Sequence, residues 1–152
     1  MQKLLMVGAL GVLALASCNR AAVVGSAKTY AFANMGLASY SKAAGTATVT
    51  QFSTNDTGTV LIASGLLPST AYVAHYHAVG TASTDPCRSA GPIVDGMIGG
   101  EAVQSDAGGT LTLKGLDTTS ALSSAKYINI HEAASLATVP LCADLSKSPV
   151  KQ

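Results

Sequence analysis

Short runs of alternating apolar and polar residues, separated by turn-forming residues, are the feature that most limits the folds open to this chain. In residues 70–79 (TAYVAHYHAV), His75 and His77 fall on one side of a predicted strand, because strand side chains alternate between two faces. Tyr72 and Tyr76 fall on the other side, where aromatic rings are expected in the core. No segment has the periodicity of a long amphipathic helix. The pattern predicts an antiparallel Greek-key sandwich or barrel, with strands over 46–52, 58–66, 70–79, 109–114 and 126–131, turns at 55–58, 67–69 and 106–109, and a long loop over 83–101.

All three histidines of the chain lie in two short motifs, His75-Tyr76-His77 and His131-Glu132. The first two share a strand face, and the fold would have to bring the third to them. Neutral imidazole is a common ligand for copper and zinc. The spacing therefore predicts a three-histidine metal site. The alternative is a histidine pair on a wet strand face and one unrelated histidine.

The first 17 residues have the pattern of a bacterial lipoprotein signal peptide. Lys3 precedes an apolar run over 4–16 that is too short to span a membrane as a helix. The run ends in small residues directly before Cys18, which predicts cleavage before this cysteine and acylation of it. An ordinary secretory signal with a coincidental cysteine is the alternative.

The lipoprotein interpretation predicts an exported protein that is held in the bacterial cell envelope by lipid on Cys18. Residues 18–28 are then a lipidated tether, since they are small, polar and unpatterned. Residues 29–152 form one β domain, a length sufficient for a single core.

Two further cysteines, Cys87 and Cys142, favour a disulfide, because an exported domain folds in an oxidising compartment. Closing a loop of this length would stabilise the fold by about 4 kcal/mol on the chain-entropy description. Two free thiols, or two thiolate metal ligands, are the alternatives, although neither cysteine lies in a CxxC pattern.

The charge of the chain is low, with a net charge of +1 and only 11% charged residues. No basic stripe interleaved with aromatic residues is present, so the sequence gives no indication of nucleic-acid binding.

Five motifs resemble those of the Cu/Zn superoxide dismutase family and follow one another along the chain in the same order as in that family. They cover about residues 58–145: Gly65-Leu66-Leu67-Pro68, His75-Tyr76-His77 followed by Gly80, Cys87-Arg88-Ser89-Ala90-Gly91-Pro92, Ile130-His131-Glu132, and Cys142. The resemblance implies that family's Greek-key fold, one copper ion held by His75, His77 and His131, and a Cys87–Cys142 disulfide. It also implies superoxide as a reactant.

Several departures from the family pattern bear on function. Ile93 stands where the family has the histidine that bridges copper and zinc, and the chain has no other histidine to complete a zinc site. Asp95 and Glu101 do not replace the missing ligands, so we expect copper and no zinc. Val139 stands where the family has its active-site arginine, a cation that would attract superoxide. The closest resemblance is to copper-only members of the family.

The sequence therefore leaves two main functions open: a copper-only superoxide dismutase with weak or residual activity, and a copper chaperone, buffer or sensor without enzymatic activity. The catalytic residues stay unassigned. Arg88 or Lys126 would have to reach the site to replace the missing arginine. Met35 and Met97 could supply thioether ligands for Cu(I), although ordinary packing roles explain methionines as well. A site that has lost its metal is a third possibility.

Overall fold

Residues 21–151 are described by a computed structural model, and in this part of the chain the regular elements are nearly all strands. Cys18 and the predicted signal peptide lie outside the described residues. The strands are β1 (Lys28–Ala31), β2 (Ala33–Asn34), β3 (Ala44–Gln51), β4 (Asp56–Ser64), β5 (Ala71–His77), β6 (Ile93–Met97), β7 (Val103–Gln104), β8 (Leu111–Thr118), β9 (Tyr127–Glu132) and β10 (Leu141–Asp144), with short 3₁₀ helices at Ala38–Tyr40 and Pro86–Arg88.

The strands form two antiparallel sheets that pack face to face, which confirms the all-β sandwich. The first sheet has the order β1-β3-β4-β8, and the second has the order β2-β10-β9-β5-β6, with β7 paired to β5. The chain passes from the first sheet to the second between β4 and β5, and again between β8 and β9. Since β4 neighbours β8 and β5 neighbours β9, these crossings give the predicted Greek-key connection.

Alternation of buried and exposed residues is clearest in the first sheet. In β4, Thr57, Thr59, Leu61 and Ala63 are buried, while the residues between them are more exposed. Their partners Leu111 and Leu113 in β8 are buried as well. This face meets the aromatic and aliphatic residues of the second sheet in one core.

Strand β5 differs from this pattern, because six consecutive residues from Tyr72 to His77 are buried. Tyr72 and Tyr76 point into the core as predicted. Loops cover the opposite face, which carries the histidines. One of these loops is attached by the Cys87–Cys142 disulfide, with 5.8 Å between the two Cα atoms. The predicted disulfide is therefore confirmed, and the outer face of β5 is an interior rather than a wet surface.

The predicted turns at 67–69 and 106–109 are present, with positive φ angles at Ser69 and Gly109. The turn predicted at 55–58 lies earlier, at 53–55, with a positive φ angle at Asn55, and β4 already begins at Asp56. The segment 83–101, predicted as a loop, contains the Pro86–Arg88 helix and the edge strand β6. Strands β1, β2, β7 and β10 were not predicted, because they are two to four residues long and too short for a recognisable alternation.

The segment predicted as a tether has structure where it is described. Ala22 and Val24 form hydrogen bonds with residues 51–53, Val23 pairs with Phe52, and Lys28 begins β1. Among the described residues no helix is sufficiently long and apolar to span a bilayer.

Candidate metal centre

His75, His77 and His131 come together on the outer face of the second sheet, as expected for the first two from their spacing and for His131 from the motif resemblance. The first two project from β5, and His131 projects from the neighbouring strand β9, where it pairs with Val73. All three are buried, with exposed fractions of 5%, 6% and 5%. One nitrogen from each ring lies within 4.8 Å of the others. The three histidines thus form a cluster that can hold a metal ion.

His77 is held in one orientation by two contacts. Its Nδ1 donates a hydrogen bond to the carbonyl oxygen of Gly91 at 3.0 Å, since a carbonyl can only accept. The ring of Tyr127 stacks on the imidazole at 4.8 Å between centroids and 10° between planes. The Tyr127 hydroxyl in turn accepts a hydrogen bond from the Gly91 N–H at 2.9 Å. Tyr127 therefore braces both the histidine and the residue that orients it.

His131 is fixed in the same way by the chain that follows it. Its Nδ1 donates to the carbonyl oxygen of Leu136 at 2.6 Å. The intervening segment is a tight turn in which the Glu132 and Thr138 N–H groups donate to the carbonyls of Thr138 and Ser135. The turn brings the Leu136 carbonyl back to the ring. This second-sphere hydrogen bond is typical of a histidine that binds a metal.

These two hydrogen bonds determine what the opposite ring nitrogens can do. In a neutral imidazole whose Nδ1 carries the proton, Nε2 is an acceptor with a free lone pair. The Nε2 atoms of His77 and His131 lie 3.4 Å apart, so two acceptors face each other. Such a pair needs a donor or a cation between or beside the two nitrogens, which can be a water molecule, a proton or a metal ion.

Protonation is opposed by the surroundings of the cluster. Burial, with a smaller contribution from the two other imidazoles, lowers the pKa of His131 to about 4, against the opposing effect of the Leu136 carbonyl. Burial also lowers the pKa of His77. At neutral pH both rings are uncharged and present lone pairs, which is the form that binds a metal.

His75 completes the cluster from the middle of β5. Its ring lies 5.4 Å from that of His131 and 6.2 Å from that of His77, between centroids. Its Nδ1 is buried without a hydrogen-bond partner. Asn129, opposite His75 on β9, also has an unpaired amide oxygen, so the two side chains do not satisfy each other. Burial and the neighbouring His77 lower the pKa of His75. A buried nitrogen left unpaired is costly, and a metal ion would satisfy it.

The loop that carries Gly91 is packed against β5 as closely as a backbone allows. A Cβ atom on Gly91 would lie 1.7 Å from the carbonyl oxygen of Ala78, and one on Gly80 would lie 2.2 Å from that of Ser89. The Ser89 hydroxyl is buried, donates to the Pro86 carbonyl and accepts from the Gly80 N–H. With the disulfide at Cys87, these contacts explain why this loop needs a cysteine, a serine and a glycine in this order.

Several residues at the site were not predicted from the sequence. Tyr127 shares the outer face of β9 with His131, so alternation along the strand was a usable signal. The carbonyls of Gly91 and Leu136 carry no signal of their own, because every residue has a carbonyl.

Glu132 does not take part in the cluster. It follows His131 and therefore points to the other face of β9, where its carboxylate accepts a hydrogen bond from the Tyr40 hydroxyl. The Tyr40 hydroxyl also lies 3.1 Å from that of Tyr72. Burial, together with these two partners, raises the pKa of Tyr40. Glu132 thus joins a hydrogen-bonded network in the core rather than the metal centre.

The surroundings of the cluster are poor in cations. Ile93 pairs with His77 across β5 and β6 and is 46% exposed, and Val139 is half-buried. The guanidinium of Arg88 lies 3.8 Å from the carboxylate of Asp85. Lys126 donates its backbone N–H to the His77 carbonyl, and its side chain is exposed. Asp95 and Glu101 are exposed and lie outside the histidine cluster.

No protein-family model matches the chain, and no curated protein is sufficiently similar to count as a match.

Proposed function

We propose that this protein binds one copper ion through Nδ1 of His75 and Nε2 of His77 and His131. The supporting observation is the pair of Nε2 atoms that face each other at 3.4 Å with their protons committed elsewhere. The unpaired Nδ1 of His75 adds the third donor. Each of the three atoms lacks a satisfactory partner within the protein, and one cation would satisfy all three.

Copper is favoured over zinc by the donor set. Three imidazoles without a carboxylate or thiolate suit Cu(I) in three-coordination and Cu(II) with added water, and imidazole sites bind Cu(II) more tightly than Zn(II). Structural zinc sites use four protein ligands, whereas the cluster among the described residues offers three. Because three histidines and a water also form catalytic zinc sites, the preference for copper rests on its tighter binding by imidazole. We therefore propose a copper site without a neighbouring zinc site.

The motif resemblance to Cu/Zn superoxide dismutases supports weak superoxide dismutation as the activity. Bound copper would supply the electron exchange, since it can alternate between Cu(I) and Cu(II) while two superoxide ions and two protons become dioxygen and hydrogen peroxide. The chain's own residues would hold the metal, and the burial of all three histidines would limit its contact with bulk water. These residues supply no proton to the reaction, because the Nδ1 protons of His77 and His131 are held in hydrogen bonds to carbonyls. The side chain of Ile93 has no acidic proton. Water must then be the proton source, which makes the reaction slow.

Copper storage or transfer without catalysis is the second candidate. It is favoured by the apolar residues Ile93 and Val139, because no cation there would attract or orient superoxide. The exposed Ile93 beside the buried histidines would suit contact with another protein that exchanges the metal. The two candidate functions therefore use the same copper site and differ in whether the bound copper converts superoxide.

The cell envelope is the proposed location, with lipid attached to Cys18. The disulfide supports export, since structural disulfides persist in oxidising compartments. Metabolic labelling with a radioactive fatty acid tests the anchor. Label should be incorporated into the protein and lost in Cys18→Ser, and an unlabelled wild-type protein would contradict the proposal.

The functional proposal is tested by measuring superoxide decay with the copper-loaded full chain. Measurements include a chelator that removes loosely bound copper and a matched His131→Ala variant. A rate that survives the chelator and disappears in the variant supports dismutation at this site. A single tightly bound copper ion with no rate above that of the variant supports copper handling. Copper removed entirely by a weak chelator would contradict both.

A further inference from the structure

Strand β6 pairs with β5 through a register shift next to the histidines. The pairing is regular at residues 93–94, but His75 then lies opposite Met97 rather than opposite Asp95. Two residues, Asp95 and Gly96, are extra in the edge strand. Asp95 has a φ angle of 65°, in the left-handed region that costs a residue other than glycine free energy. The structure thus accepts backbone strain in order to change which side chain lies beside His75.

The shift exchanges one kind of donor for another. In a regular ladder the carboxylate of Asp95 would stand directly across from His75. The bulge puts Met97, which carries a thioether, at that register position instead, and bulges near functional sites commonly redirect a side chain in this way. A carboxylate is a hard ligand, while a thioether is a soft ligand that prefers Cu(I).

Met97 lies on the same face of the sheet as the histidines. Residues directly opposite each other in an antiparallel pair point to the same side, with Cβ atoms about 4.5–5.5 Å apart. The next residue, Ile98, is buried in the core, whereas Met97 is 36% exposed. The core does not use the Met97 side chain, which starts from the outer face in register with His75 and borders a surface hollow that is also lined by Gly99, Gly100 and residues 114–117. To reach an ion at His75, the flexible thioether has to turn from that hollow toward β5.

We propose that Met97 is an additional ligand for the copper ion in its Cu(I) state, so that the site prefers Cu(I) over Cu(II). This inference rests on the proposed copper site and specifies which oxidation state it retains. Stabilising Cu(I) would slow its reoxidation by superoxide, which favours copper storage or transfer over rapid turnover. The unpaired Nδ1 of His75 and the sulfur of Met97 would then contact the same ion.

The test compares the full chain with Met97→Leu and with the matched control Met35→Leu, which removes the other methionine among the described residues. Leucine conserves most of the volume of methionine, so folding should be retained. Cu(I) affinity is measured anaerobically by competition with a chromophoric Cu(I) chelator. Sulfur bound to copper is detected by X-ray absorption at the copper edge.

We expect Met97→Leu to bind one Cu(I) at least about tenfold more weakly, the scale of loss found when a metal site is perturbed. Its Cu(II) affinity should be unchanged, and copper–sulfur scattering should be present in the wild type and absent in this variant. Met35→Leu should behave as the wild type. Unchanged Cu(I) affinity in Met97→Leu, or no sulfur scattering in the wild type, would overturn the role of Met97 and leave the three-histidine site standing. A wild-type chain that binds neither Cu(I) nor Cu(II) would instead overturn the copper site itself.

Discussion

Replacing Gly91 by alanine should weaken copper binding without touching a ligand. The new Cβ atom would lie 1.7 Å from the carbonyl oxygen of Ala78 and 2.7 Å from the backbone nitrogen of Gly80. Both obstacles are backbone atoms. Because non-bonded atoms settle about 3.5 Å apart, the loop has to retreat by roughly 1.5 Å or more.

That displacement breaks the link between the loop and the metal centre. The Gly91 carbonyl accepts the Nδ1 hydrogen bond of His77 at 3.0 Å, and a retreat of this size takes it beyond hydrogen-bond distance. His77 then loses the contact that fixes its tautomer and orientation. Loss of such an outer-sphere partner typically costs about 10- to 100-fold in metal affinity, or roughly 1.4–2.7 kcal/mol.

The assay is competition for copper between the folded protein and a chelator of known affinity. Gly108→Ala is the matched control, because a Cβ atom on Gly108 has only the Asp106 carboxylate within 4 Å, at an ordinary distance of 3.4 Å. We expect a 10- to 100-fold loss in Gly91→Ala and wild-type affinity in Gly108→Ala. A folded Gly91→Ala protein that binds copper as tightly as the wild type would refute the role assigned to the Gly91 carbonyl.

Three further predictions concern the disulfide, the pH dependence and Tyr127. Cys142→Ser should lower the free energy of unfolding by about 4 kcal/mol on the chain-entropy description for the 55-residue separation; urea unfolding measures this, and a loss below about 1 kcal/mol would contradict it. Since burial lowers the pKa of His131 to about 4, the unfolded metal-free chain binds more protons than the folded chain between pH 4 and about 6.5. The free energy of unfolding of the metal-free chain should therefore fall as the pH is lowered through this window, and it should fall less steeply in His131→Gln. Equal pH dependence in the wild type and the variant would count against a buried neutral His131. Tyr127→Phe removes the hydrogen bond to the Gly91 N–H but keeps the ring on His77, so it should lower the free energy of unfolding by about 1 kcal/mol. Its copper affinity should fall less than that of Tyr127→Leu, which also removes the ring. Equal copper affinities in the two variants would show that the ring does not support the site.

The sequence was sufficient to predict the residues that alternate or come in short motifs. The two faces of β5, with His75 and His77 on one and Tyr72 and Tyr76 on the other, follow from the period of a strand. The Cys87–Cys142 pair follows from the small number of cysteines in a chain predicted to be exported. The meeting of His131 with the other two histidines was expected from the motif resemblance, and the pairing of β5 with β9 brings it about.

The parts that were not predicted depend on backbone geometry. The Gly91 and Leu136 carbonyls act through the path of their loops, and a carbonyl has no residue signature. β10 is buried at all four positions, so it has no alternation to recognise. The shift that brings Met97 opposite His75 depends on a two-residue bulge, and β6 has no buried residue, so no hydrophobic pattern specifies its register with β5.

The most direct test of the copper site is an anaerobic copper titration of the full chain, with zinc present as competitor, for the wild type and for His75→Ala, His77→Ala and His131→Ala. We predict one tightly bound copper ion per chain in the wild type, retained in excess zinc, and a large loss of affinity in each variant. Copper binding that is unchanged in all three variants, or a wild-type chain that takes up zinc in preference to copper, would contradict the assignment of these histidines to a copper centre.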